Sequence, residues 1–74
     1  SKGAALRWIA RRLGVAREEI LAAGDDWNDL SMITYAGLGV AMANAPADVR
    51  AAARIVAPSV DDDGIAAVLE DHVL

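Results

Sequence analysis

The sequence predicts an α/β fold, three short parallel strands with helices packed on them, the size of half a doubly wound domain. Three observations carry that reading. Short, wholly apolar runs alternate with stretches of helical periodicity along all 74 residues. The links between those runs are long enough to hold a crossover helix, which parallel strands require. Runs with no polar alternation suit strands covered on both faces.

Taken in order, "AALRWIARRL" (residues 4–13) places Leu6, Ile9, Ala10 and Leu13 on one helical face. Gly14 follows as a C-cap, and Arg11 and Arg12 in the last turn suit the helix dipole. Trp8 falls on the opposite face, where stacking on Arg12 one turn later is the expected arrangement. "AREEI" forms a short helical turn leading into a strand at Ile20 to Ala23. "NDLSMITYAG" is a second helix, with Asn28 as its N-cap and Gly37 as its stop. "LGVAM" (38–42) is the next strand. "PADVRAAA" is a helix opening on Pro46, whose fixed φ suits a first helical position. "RIVA" (54–57) is the third strand, and "GIAAVLEDHVL" closes the chain as a helix with Ile65, Val68 and Leu69 inward.

Composition narrows the classes of function. A hydrophobic fraction of 55% without a single Phe means a core of Leu, Ile, Val and closely packed Ala. No cysteine is present, so no disulfide supports this small chain. A net charge of −4 disfavours nucleic acid as a partner. No apolar run is long enough to cross a bilayer and no signal peptide is evident, so a soluble, cytoplasmic protein is the expectation. Three strands alone leave a bare sheet edge near Ile20 to Ala23, through which the isolated piece is expected to self-associate.

The chemistry concentrates in "GDDWNDLSM" (24–32), where Asp25, Asp26, Asn28 and Asp29 follow the first strand. In open α/β sheets the loop beyond a strand's C-terminal end is where ligands bind. A helix N-terminus by itself accommodates one carboxylate. Several together suit a hard divalent cation such as Mg²⁺, held by one or two carboxylates, waters and substrate phosphate. Asp25 and Asp29 are spaced so that one leaves the strand end and the other the helix's first turn. The plainer alternative has Asp26 and Asn28 forming a turn and a cap, with Asp29 complementing the dipole. An EF-hand is excluded, because the third and sixth loop positions would be Trp27 and Leu30 and no Glu closes the loop.

"SKGAALRWIARRLGV", "GDDWNDLSMITYAGLGVAMANA" and "DDDGIAAVLE" together resemble the C-terminal part of the core domain of haloacid dehalogenase (HAD) superfamily phosphatases, in the Cof-type, sugar-phosphate-phosphatase branch. The likeness runs in order over essentially the whole chain. It implies a HAD-like, Rossmann-like doubly wound fold and Mg²⁺-dependent hydrolysis of small phosphorylated metabolites. By the same resemblance, Lys2 is the phosphate-binding lysine, and Asp25 and Asp29 hold Mg²⁺ directly or through water. Asn28 contacts the phosphoryl group or its loop, and Asn44 lies at the rim of the site.

In that family the nucleophile is an aspartate of a "DxDGT" or "DxDGV" motif after an N-terminal strand. Its carboxylate attacks phosphorus to give an aspartyl-phosphate, and the second aspartate serves as acid and base. Both that strand and the cap domain that selects substrate belong upstream of Lys2, so 1–74 is expected to be one partial domain, inactive alone. "DDDGI" (61–65) imitates the nucleophile motif, but "APSV" precedes it in place of an apolar strand. Asp61 to Asp63 read instead as a helix start. His72 reads as a surface residue near a helix end, and Met32 and Met42 as core. Two non-enzymatic readings stand beside this one. A receiver-like module also uses clustered aspartates, Mg²⁺ and a lysine, but there the acidic pair precedes the lysine. A truncated HAD fold serving as a metal-binding or assembly module is the other.

Overall fold

The computed structural model describes residues 1–58 and 64–72. Helix α1 (Lys2–Leu13) leads through a 3₁₀ turn at Arg17–Glu19 into strand β1 (Leu21–Gly24). A second 3₁₀ turn, Trp27–Asp29, opens helix α2 (Leu30–Tyr35), followed by β2 (Leu38–Met42), α3 (Ala47–Ala52), β3 (Ile55–Ala57) and α4 (Gly64–His72). The strands form one parallel sheet in the order β1-β2-β3, with Ala23 opposite Val40 and Val40 opposite Ile55. The α/β class, the strand count and the parallel direction are as the sequence predicts. Asp61 to Asp63, with the nucleophile-like motif, and the side chain of Ile65 lie outside the described residues.

The pleat of β2 divides the core. Ala41 points to one face and packs with Ile33, Ala45 and Val49, beneath α2 and α3. Val40 and Met42 point to the other and pack with Ala57 and with Val68 of α4. Period-two alternation makes both sides of this central strand apolar, which is why it shows no polar positions in sequence. Small residues on the α2 side let that helix approach closely. A Cβ on Gly39 would sit within van der Waals overlap of the Ile33 carbonyl oxygen.

Helix α1 departs from expectation. It packs mainly on α2, not on the sheet. Of its predicted apolar face only Ala10 is buried and Leu6 half-buried, while Ile9 and Leu13 are 48% and 72% exposed. The contact with α2 runs instead through Gly3, where a Cβ would lie 2.6 Å from the Ser31 carbonyl oxygen. Helical spacing identifies a face but not what covers it. Gly14 caps α1 in the left-handed region at φ 69°, as a glycine C-cap should. The Arg12 guanidinium stands 5.0 Å from the Trp8 ring, the expected stack.

Two helix starts are corrected. Asp26, not Asn28, caps the turn before α2, its carboxylate accepting from the Trp27 N–H at 2.7 Å. Asn28 lies inside that turn, which tightens the chain by one residue and delays α2 to Leu30. Pro46 takes the cap position of α3 and not its first turn, so that helix starts at Ala47, one residue later than expected.

Candidate active site

The described geometry centres on Asp29. This residue is buried, with 6% of its surface accessible, and is the one buried charged or polar side chain among the described residues. Burial of a carboxylate needs compensation, and three donors supply it. Lys2 donates from Nζ to Oδ1 at 2.6 Å. The backbone N–H groups of Asp25 and Asp26 donate to Oδ2 at 3.0 and 3.3 Å. Both oxygens are thereby engaged. The hydrogen bond from Lys2 is the largest influence holding the Asp29 pKa below its ordinary value. Burial opposes it, and the two backbone donors add to the lowering.

The elements explain why these groups meet. Strand β1 ends at Gly24, and the chain turns back over its own end so that Asp29 reaches the amides of residues 25 and 26. Gly24 makes room for it: a Cβ there would lie 2.6 Å from the Asp29 Cγ and Oδ2. From the other side, Ser1 caps α1 by accepting from the Ala4 N–H at 3.2 Å. The Gly3 N–H donates to the Ser31 Oγ at 2.9 Å, which docks the first turn of α1 onto α2. Lys2 sits between these two anchors. Its side chain remains 51% exposed, so its charge also faces solvent beside the loop.

Next to this pair lies an open cleft of about 650 Å³, lined by Ser1, Lys2, Trp27, Asn28, Leu30 and Ser31. Asp25 and Asn28 are exposed in the loop after β1. Asn44 is exposed in the turn after β2 and is not among the residues lining the cleft. The expectation of several converging carboxylates is modified. Among the described residues, no three His, Cys, Asp or Glu side chains form a cluster able to hold a metal. The site is instead a carboxylate–lysine pair in a loop with two exposed carboxylates, Asp25 and Asp26, the latter taken up in capping the Trp27 N–H. Such a donor set fits a hard cation as a partial site, since Mg²⁺ needs only one or two protein carboxylates beyond water and phosphate. Asp25 has the accessible oxygens for that role; Asp29 has already committed its own.

Sequence reasoning missed two glycines and one long-range contact. Gly3 and Gly24 act by what they lack, and nothing about an isolated glycine announces which neighbour needs the space. The Trp27 indole N–H donates to both Asp48 carboxylate oxygens, at 2.9 and 3.1 Å, across 21 residues. No local pattern connects those two positions.

The depressed Asp29 pKa sets a direction for acid stability. Its folded value lies below its unfolded one, so the ionised carboxylate adds stability above the unfolded value. That contribution disappears as pH falls through the folded value. Urea unfolding at neutral pH and at pH values below the ordinary carboxylate range should show a steeper acid loss for the natural sequence than for Asp29→Asn. Identical acid limbs would contradict the assignment.

Known proteins share this sequence and fold. A profile of the haloacid dehalogenase-like hydrolases matches residues 1–69. The phosphoglycolate phosphatase of Archaeoglobus fulgidus is 41% identical over 70 residues, covering 95% of this chain and 31% of that protein. A haloacid dehalogenase-like hydrolase from Bacteroides thetaiotaomicron superposes with a TM-score of 0.92 at 44% identity, over 96% of this chain and 27% of the other. The sugar phosphatase BT4131 superposes at 0.91 with 39% identity, over 96% and 27% respectively. The chain thus spans less than a third of each. Among the described residues, no helix is long and apolar enough to cross a membrane. With the profile matching residues 1–69, the chain belongs to the haloacid dehalogenase-like hydrolase family.

Proposed function

We propose that this chain is the lysine- and metal-bearing segment of a Mg²⁺-dependent phosphatase that hydrolyses small, sugar-phosphate-like metabolites through an aspartyl-phosphate. The observation that carries the reading is the Lys2–Asp29 pair, locked onto the loop at the C-terminal end of β1. Phosphoryl transfer asks mainly for positioned charge on the phosphoryl oxygens. Lys2 supplies a point charge whose side chain is already oriented by Asp29, so less ordering remains when phosphate arrives. Asp25 would hold the ion, which when bound supplies further neutralisation of phosphate charge. Asn28, exposed in the same loop, offers an amide N–H₂ to the phosphoryl group, and Asn44 would meet substrate at the rim. Asp29 serves by fixing Lys2 and the loop amides. The attacking aspartate and the cap belong to the part of the enzyme outside this chain, so the 74 residues alone are expected to be inactive.

The test uses the full-length protein and a panel of phosphate monoesters. Lys2→Met and Asp25→Asn should each lower kcat/KM by about 10²–10³-fold. Only Asp25→Asn should also raise the Mg²⁺ concentration needed for half-maximal activity. Full activity in the presence of a strong chelator would overturn the metal assignment, and an active Lys2→Met enzyme would overturn the lysine's.

A second expectation concerns the piece in isolation. Among the described residues β1 pairs only with β2, leaving its outer edge bare. Sedimentation velocity on the 74-residue chain should therefore detect association that rises with concentration. A monomer across the accessible range would contradict it.

A further inference from the structure

We propose that Trp27 adds, from the core side of the site, a preference to the selection made by the cap, its indole receiving the organic part of the substrate and favouring esters that carry a ring over small acyclic ones. The inference rests on the phosphatase reading above for the place of phosphate beside Lys2. Trp27 is 61% exposed, yet it is not loosely held. Its N–H is shared between the two oxygens of Asp48. Asp48 Oδ1 in turn accepts from the N–H of Val49, a core residue of α3. The indole's single polar atom is thus tied back to the scaffold, and its apolar faces are left to other contacts.

The cleft shows what those contacts are. Trp27 and Leu30 line the same 650 Å³ space as Lys2, Asn28, Ser1 and Ser31, and the surface that faces it is mostly apolar. That volume is in the range of small-molecule pockets and exceeds what phosphate alone occupies. A phosphate at Lys2 therefore leaves the remainder of the ligand in a space walled by a pinned aromatic. A ring gains from such a wall, because planar and C–H-rich faces stack on indole and the indole is already ordered. A two-carbon acyclic ester has little surface to offer it. Trp8 makes the contrast: equally exposed, it stacks on Arg12 along α1 and does not line the cleft.

The experiment measures binding by calorimetry to the full-length protein, with phenylphosphonate as a non-hydrolysable ring-bearing probe and methylphosphonate as the acyclic one. The natural protein should bind phenylphosphonate about tenfold more tightly, and Trp27→Ala should reduce that ratio to about one. Trp27→Phe, which keeps an aromatic face, should retain part of the preference. Asp48→Ala, which releases the indole, should weaken it, and Asp48→Asn, which keeps an acceptor, should restore it. A natural protein without preference, or a Trp27→Ala variant that keeps it, overturns the inference. Turnover of phosphate monoesters by the same preparations is the separate readout. Its absence with the binding preference intact would sink the phosphatase reading and leave the ring preference standing.

Discussion

Replacing Asp29 by Asn in the full-length protein is expected to cut kcat/KM by about 10²–10³-fold, although the two side chains are nearly the same size. The reason is a count of acceptors. Asp29 offers one oxygen to Lys2 and the other to the amides of Asp25 and Asp26. Asparagine has one carbonyl oxygen, and its NH₂ is a donor. In either orientation a donor faces a donor, so the variant must release Lys2 or the loop. Either loss moves the groups that would meet phosphate. Stability should also fall, by about 1–3 kcal/mol if the buried loop amides go unpaired and less if Lys2 alone swings into solvent. Steady-state kinetics and urea melts on the same preparation separate the two losses. The double variant with Lys2→Met should be little worse than the worse single one, since both changes break one unit. Activity within a few-fold of the natural enzyme would show that the pair is ornamental to catalysis.

The second large effect is expected from Gly24→Ala, a change of one methyl group. The added carbon would lie 2.6 Å from the Asp29 Cγ and Oδ2 and closer still to its Cβ. Asp29 cannot turn aside without surrendering its three hydrogen bonds, so the end of β1 or the start of α2 must shift. Overpacking of this kind costs about 1–3 kcal/mol. Because the side chain displaced is the one that holds Lys2 through Oδ1 and the loop amides through Oδ2, kcat/KM should fall together with stability, by about 10²-fold. Thermal melts and kinetics on the full-length variant check both. A variant that loses stability but keeps its activity would mean that the Lys2–Asp29 geometry tolerates displacement. Gly14→Ala makes a useful control, since it alters a left-handed cap with open space around it and lies on α1 beyond the site. It should cost stability alone, on the order of 1 kcal/mol.

The division between what the chain announces and what folding adds can be followed through particular residues. The unbroken apolar run "LGVAM" and the period-3.6 helical pattern are local, and they place β2 at Leu38–Met42 and the Gly14 cap without help from the rest of the chain. The same locality brings Asp25, Asp26, Asn28 and Asp29 into one loop after one strand, so the site's position was legible from "GDDWNDLSM" alone. Roles inside that loop were not. The sequence pairs Asp25 with Asp29 at an ion and gives the cap to Asn28. Folding buries Asp29 against Lys2 from 27 positions away, gives the cap to Asp26, and leaves Asp25 and Asn28 facing outward. It also leaves Ile9 and Leu13 exposed on a face that periodicity marks as inward, and it ties Trp27 to Asp48. The physical reason is common to all of these. Periodicity records which face of an element is apolar, whereas burial, ion pairing and the space beside a glycine depend on which other element arrives there. That is a property of contacts between segments distant in the chain, and only the tertiary structure decides it.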